Sequence, residues 1–524
     1  MAAAATKRAR ADGGSICCDR LSALPDDLRR HVLSFLPAQQ AVQTTVLSKR
    51  WTDLWRSVPG INLDLMHFRR SPYEPWTETS VRMERFVSKL LVLHDSPCLD
   101  AFRLTASSAG HDSRRHIDAW VRRAIRGDPL VLEVRTMSSD GHDLYQLPHL
   151  GSSPCCRRLK RLKLIGVSLD HSFAELLRSW WPHLEDLVLV QCQIGFCGIE
   201  SDRLKNLAIQ YCTNPPADVF VIRASGLAAL SLALHNNSYG DGVSLHVGNS
   251  LVRASITLKR DELSPRNEAK ILGSLFNVAS LEMKDFQAMA ILDTGLFDKL
   301  PTFNNLRTLT LNPFSLNSTV SDVHNFKALG RFLQKAPNME MLTLENFWVA
   351  PTVELVEYPA LQNLRTLILD TCSLHNNFGL LHHCLRNSPN LEKITVQYCK
   401  VSDGSTGGEG NTKSKKMESR NVVPLHCPKL ESTELRYHGY DANIPILQRL
   451  LLGISAPKNS IKFTNMKYRT ARTRPCHSWF ALAARLDRAF TNSLGFLRDT
   501  NHEGYLLLMT SRQAHNTNGT RFRV

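Results

Sequence analysis

A chain of 524 residues has room for two or more domains with substantial cores, and 43% hydrophobic with 21% charged residues is an ordinary soluble composition. No stretch reaches the roughly 18 uninterrupted apolar residues of a membrane helix, so no membrane association is expected. The 13 cysteines are scattered and odd in number, which suits reduced thiols in the cytoplasm, the nucleus or both, while the net charge of +16 raises the question of nucleic acid.

Residues 1–18 lack an apolar run after their basic residues, so they read as a flexible basic tail rather than a secretory signal. Lys7, Arg8 and Arg10 form a short basic run of the kind that serves nuclear import, though a solvated tail is the commoner reading.

Residues 19–59 read as a compact helical docking element. Pro25 suits a first helical position, and Asp26 and Asp27 favour the positive end of the helix dipole. Leu28, Val32, Phe35 and Leu36 recur at helical spacing as one apolar stripe, and Pro37 stops the helix. A second short helix carries Ala41, Val42, Thr45 and Val46. Ser48 can cap a third that brings Trp51, Leu54 and Trp55 together. About forty residues cannot enclose this much apolar surface, so a partner is expected to cover part of it. A plain helical subdomain and a DNA-binding helix-turn-helix are the competing readings. Trp51 and Trp55 argue against the second, because a recognition helix presents polar groups to base edges.

Leu24 and Pro25, the Leu-x-x-x-Val/Leu run, and VLSKRW followed by Leu54 and Trp55 resemble an F-box. The resemblance implies docking onto a Skp-type adaptor, and through it membership of a cullin–RING ubiquitin ligase. The positions it implies for the adaptor contact and the element's own core are Leu24, Pro25, Leu28, Val32, Leu36, Val42, Val46, Leu47, Trp51 and Trp55.

Residues 60–98 read as a helical linker, with an amphipathic helix over 79–94 that buries Val81, Phe86, Val87, Leu90 and Leu91. Beyond it one pattern returns: apolar, two others, apolar, one other, apolar. Clear copies start at Leu159, Leu184, Leu204, Leu227, Val278, Leu306, Met339, Leu364 and Leu391. Weaker ones start at Leu99, Pro129, Leu251 and Leu430. Most spacings fall between 20 and 33 residues, the range of stacked repeats. Each unit is predicted to contribute a short strand and a return path, with neighbours burying one another's leucines. The fold expected is therefore α/β: a three-helix F-box followed by a leucine-rich-repeat solenoid over 99–455. Its parallel strands would line the concave face, with helices and loops on the convex face.

Cys192, Cys212, Cys372 and Cys399 each fall three residues after the last apolar strand position, the Asn/Cys site of such a repeat. They are expected to turn inward and meet backbone groups, without redox chemistry. No paired Cys-x-x-Cys knuckles occur, and His382, His383 and Cys384 would diverge around a helix, so neither a metal site nor a cofactor is predicted.

The segments FNNLRTLTLNPFSL (303–316), KAPNMEMLTLEN (335–346) and HCPKLESTELRYHGYDANIPILQRLL (426–451) are similar to the plant F-box proteins with leucine-rich repeats. The last is similar to that family's C-terminal FBD-like region. A Gly/Ser/Lys-rich insert occupies 402–423 and lacks the frame of a phosphate-binding loop. Residues 456–524 depart from the family and hold 12 Lys and Arg against 3 Asp and Glu. They read as a basic, partly disordered tail with a short helix near 479–490.

Strand residues alternating with the buried leucines include the bases Arg161, Lys163, Arg253, Lys284, Lys393 and Arg436. Asp186, Glu282, Glu345, Asp370 and Glu434 face them, so no phosphate-binding stripe and no dedicated nucleic-acid site is expected. No catalytic motif appears either. The resemblance implies a non-catalytic receptor that holds a protein substrate near ubiquitin, contributing proximity. Thr308, Thr310 and Asn312 are candidate substrate contacts. The rival expectation is an interaction scaffold acting outside a ligase.

Overall fold

The computed structural model describes residues 24–466 apart from 139–143, 149–155, 215–218, 235–238, 240–241, 259–263, 287–288, 314–318, 348–358, 376–378, 403–426, 439–443 and 455–459. The expected tail at 1–18, the helix near 479–490 and nearly all of the insert therefore lie outside the described residues.

The N-terminal element consists of α1 (Asp26–Leu33), α2 (Ala38–Gln43) and three 3-10 turns, Thr44–Val46, Lys49–Trp51 and Leu54–Ser57. The expected third helix is thus two separate turns, and Ser48 makes no side-chain cap. So short a segment gains few hydrogen bonds for the cost of starting a helix, and its path is set instead by burial of Trp51 and Leu54.

The rest is mixed α/β, dominated by a 15-stranded sheet. Its strands are β1 (Gly60–Asp64), β2 (Ala101–Ser107), β3 (Val131–Met137), β4 (Arg161–Ile165) and β5 (Asp186–Val190). They continue as β6 (Asn206–Gln210), β7 (Ala229–Leu234), β8 (Arg253–Leu258), β9 (Ser280–Phe286) and β10 (Thr308–Pro313). The last five are β11 (Met341–Glu345), β12 (Thr366–Asp370), β13 (Lys393–Gln397), β14 (Ser432–His438) and β15 (Ser460–Met466). They lie side by side in chain order, and each neighbouring pair is parallel.

All thirteen expected copies of the pattern, weak ones included, form strands of this sheet. The register explains why. Leu187, Leu207, Leu230, Ala254, Leu281, Leu309, Leu342, Leu367 and Ile394 are successive partners across β5 to β13, all buried. Each strand supplies two or three such side chains, and only stacking covers them.

Two boundaries differ from the sequence reading. Residues 60–98 are not a helical linker, because β1 opens the sheet and pairs with β2 from Gly60↔Ala101 to Asp64↔Thr105. The sheet also runs past 455: β15, placed by sequence in the basic tail, pairs with β14. Strand β1 carries the same apolar spacing in Val58, Ile61 and Leu63, all buried, whereas β15 has Lys458 where the first apolar residue before Ile461 and Phe463 would stand. Between β1 and β2 runs α3 (Trp76–Leu93), close to the expected 79–94, which buries Thr79, Met83, Val87 and Leu90. Val81, expected inside, is exposed.

The four corner cysteines behave as read. The Cys192 thiol lies 3.4 Å from the Leu164 and Val190 carbonyls, and that of Cys372 lies 3.3 Å from Leu344 O and 3.4 Å from Asp370 O. Cys212 and Cys399 repeat the pattern at 3.5 Å, each to its own strand and the preceding one. The residue before each cysteine turns the corner in the left-handed region: Gln191, Tyr211, Thr371 and Tyr398 have φ of 52°, 53°, 51° and 54°. Each also donates its N–H to the next strand, which compensates the unfavourable conformation.

Candidate docking site

Helical spacing gives α1 two faces. Arg29 and Leu33, one turn apart, point into a small core with Ala41, Trp51, Leu54 and Val58. Leu28 and Val32, on the other face, are 50% and 43% exposed. Beyond them Phe35 is 70% exposed, and Val46 and Leu47 are 85% and 64% exposed. The stripe at Leu28, Val32 and Phe35 is therefore not the element's core. It faces outward, and only Leu36 of the four packs partly against the interior.

What holds the element together is a charged residue that the apolar pattern hides. Arg29 is fully buried, with its guanidinium 5.2 Å from the Trp51 ring centroid and 3.6 Å from Asp26. Asp26 also receives Arg50 at 3.1 Å, and Arg50 donates to the Leu24 carbonyl at 3.3 Å. A buried guanidinium needs this combination of an aromatic face and a carboxylate. Its sequence signal is faint: Arg29 sits three residues after Asp26 and four before Leu33.

The ten positions expected from sequence thus separate into groups. Pro25, Leu28, Val32, Val46 and Leu47 are exposed, and Phe35, left out of that set, joins them. Trp51, expected among the contact residues, is only 6% exposed and belongs to the interior, because Arg29 requires its ring. Leu24 and Leu36 are half-buried. Val42 and Trp55 are half-buried too and pack against the sheet's core. The outward apolar group has no cover in the chain's described residues.

The F-box domain family matches residues 21–61, which spans α1, α2 and the three turns and stops at the start of β1. Residues 21–61 are an F-box. Over most of its length the chain is also similar to plant proteins carrying this domain. A protein of Oryza sativa subsp. japonica, MEIOTIC F-BOX protein MOF, is 28% identical over 460 residues, 83% of each chain. An F-box/FBD/LRR-repeat protein of Arabidopsis thaliana is 26% identical over 444 residues, 76% of this chain and 93% of that one. An FBD-associated F-box protein of the same plant is 24% identical over 440 residues, 74% and 92% of the two chains.

The F-box is joined to the sheet by contacts rather than by a tether. Ala38 of α2 lies in the sheet's core cluster. Gly60, the first residue of β1, runs so close to Ser34 that an added Cβ would come within 3.0 Å of its Cβ and carbonyl oxygen. The Arg56 carbonyl accepts from Asp95 N at 3.0 Å, and that of Pro59 from Asp100 N at 2.6 Å. The buried His94 imidazole reaches the Val58 carbonyl at 2.9 Å.

On the face of the sheet turned away from the leucines, Thr308, Thr310 and Asn312 alternate along β10, all half-buried. Asn312 is engaged within the fold: it donates to Glu345 at 3.1 Å and accepts from Asn346 at 3.3 Å. Three of the bases expected there are tied to acids, Arg161 to Asp186 at 3.6 Å, Lys284 to Glu282 at 2.7 Å and Arg436 to Glu434 at 2.9 Å. No helix among the described residues is long and apolar enough to cross a membrane.

Proposed function

We propose that this chain is the substrate receptor of a Skp–cullin–F-box type ubiquitin ligase. Its F-box docks on a Skp-type adaptor through Pro25, Leu28, Val32, Phe35, Val46 and Leu47. The sheet is a leucine-rich-repeat solenoid whose outer strand face holds the protein to be ubiquitinated. The observation that carries this reading is the F-box's outward apolar group. Five large side chains on one small element are left in water, where covering them gains about 25 cal/mol for each Å² of apolar surface. The receptor contributes no covalent step; it raises the effective concentration of a substrate lysine near ubiquitin carried by the ligase.

The test uses the full chain, since the F-box shares its packing with the sheet. Binding to a purified Skp-type adaptor is compared with that of Val46→Asp/Leu47→Asp, whose melting temperature is measured alongside. If these side chains are interface anchors, each costs on the order of 2 kcal/mol or more when lost. Unchanged binding by the variant, or none by the native chain, overturns the proposal and leaves the sheet as a scaffold outside a ligase.

A further inference from the structure

Along the edge where the strands begin, exposed charges answer one another. Lys205 meets Glu185 at 2.8 Å, Arg307 meets Glu340 at 3.4 Å, and Arg365 meets Glu392. Helix α3 and its neighbour α4 (His111–Arg126) depart from that habit. Both bury one face in the sheet's core, α3 through Met83, Val87 and Leu90 and α4 through Ile117, Val121 and Ala124. Their opposite faces look outward together. The Ser113 hydroxyl donates to Glu84 at 3.0 Å, and Arg123 donates to the His94 carbonyl at 3.4 Å. The two helices therefore lie side by side and parallel.

The outward stripe of α3 holds Val81, Arg85, Lys89 and Val92, and that of α4 holds Arg115, Ala119, Arg122 and Arg126, all exposed. Spacings of three and four residues stack them on one side of each helix. Asp118 holds Arg122 at 2.8 Å, and Glu84 is turned to Ser113 and His116. Arg85, Lys89, Arg115 and Arg126 have no ion-pair partner among the described residues. Like charges one helical turn apart, Arg85 with Lys89 and Arg122 with Arg126, are unfavourable in the chain alone. Val92, 83% exposed, and Leu93, 46% exposed, close the stripe of α3. Two independent features thus coincide on one surface: cations without acids, and apolar side chains in water.

We infer that the outward faces of α3 and α4 form a second docking surface, which takes an acidic amphipathic segment of a protein partner. Carboxylates of that segment answer Arg85, Lys89, Arg115 and Arg126, and its apolar side chains cover Val81, Val92 and Leu93. Guanidinium groups favour carboxylates through their forked donors. A nucleic-acid backbone would answer the cations but leave the valines and the leucine in water, so protein is the better complement. This surface is separate from the F-box's outward group and stands whether or not the chain serves as a receptor.

The experiment uses the full chain and a fluorescent synthetic helix that carries glutamates beside a leucine stripe. Two further peptides replace its glutamates by glutamine or its leucines by serine, and a DNA duplex serves as a competing polyanion. The native chain is expected to bind the glutamate–leucine helix about tenfold more tightly than either altered peptide, with the advantage falling as salt is raised. Arg85→Ser/Lys89→Ser/Arg115→Ser/Arg126→Ser is expected to erase that advantage. Lys413→Ser/Lys415→Ser/Lys416→Ser/Arg420→Ser removes the same charge from the insert and is expected to keep it. Melting curves check the fold of both variants. Should the helix variant melt early, Val92→Ser, which leaves every charge in place, is read instead. It is expected to weaken binding of the glutamate–leucine helix but not of its serine counterpart. Equal binding of the glutamate and glutamine peptides by the native chain overturns the inference. So does an equal loss in the two quadruple variants, which marks diffuse attraction by net charge. A duplex that outcompetes the peptide and is itself lost with the helix substitutions assigns the surface to nucleic acid instead. Adaptor binding on the same samples is expected to be unchanged, so the receptor reading is decided separately.

Discussion

The His94 imidazole lies 2.9 Å from the Val58 carbonyl, and it joins the end of α3 to the last residues of the F-box. A carbonyl oxygen can only accept, so Nε2 carries the proton and the ring is held as that tautomer. Burial pushes the His94 pKa below its ordinary 6.5, with Arg123 in the same direction; the Val58 hydrogen bond and Asp95 oppose it. Since the unfolded chain takes up the proton first as pH falls, the neutral ring's contribution is complete above 6.5 and is lost progressively below it. His94→Gln keeps an N–H donor and does not titrate. Its melting temperature is expected to fall less than that of the native chain between pH 7.5 and 5.5, and equal slopes would refute the assignment.

The two faces of α1 predict two separable kinds of damage. Trp51→Ala removes the aromatic roof over Arg29 and opens the small core, at a cost of about 3–5 kcal/mol. Its loss of adaptor binding is expected to come with lost helicity and a lower melting temperature. Phe35→Ser acts on a side chain already in water, and is expected to weaken adaptor binding while moving stability by less than about 0.5 kcal/mol. Circular dichroism melts beside a binding titration distinguish them.

Glu345 makes a pH prediction of the opposite sign to an ordinary ion-paired acid. Because its carboxyl is raised in the fold, the unfolded chain ionises first, near 4.5. Stability is therefore full below 4.5, falls as pH rises toward the folded value, and stays lower above it. Glu345→Gln is expected to melt higher than the native chain at neutral pH, and the gain should vanish below pH 4.5. A gain that grows on acidification would contradict this.

Thiol reactivity reports the repeat corners. Cys98 and Cys197 are exposed, whereas Cys192, Cys212 and Cys372 are buried. Burial pushes the Cys212 thiol well up, and its neighbour Cys192 adds to the rise. Iodoacetamide is expected to alkylate Cys98 and Cys197 in the native chain, and the corner cysteines only in denaturant. Mass spectrometry of the labelled peptides gives the answer, and labelling of Cys372 in the folded chain would place its side chain outside the corner.

Much of this protein was legible because its information is local and repeated. The apolar spacing from Leu159 to Leu391 marks parallel strands, since each unit must bury its leucines in the same way against its neighbours. The corner cysteines follow from that period. The F-box was legible for a different reason, since its residue order is a contiguous signature.

Only the tertiary structure decided which side of each element faces inward where no repeat enforces it. Leu28, Val32 and Phe35 have the spacing of a core stripe and yet lie outside, because Arg29 and Trp51 fill the space they would have occupied. Strand β1, whose Val58, Ile61 and Leu63 repeat the spacing directly after the F-box, and β15, which lacks the first apolar residue, are assigned to the sheet by their pairing with β2 and β14. The pairing of Glu345 with Asp370 joins residues 25 positions apart. Spacing along a chain tells which residues share a face, but the opposing surface that makes a face interior, or leaves a charge unanswered, comes from distant segments that meet only in the fold.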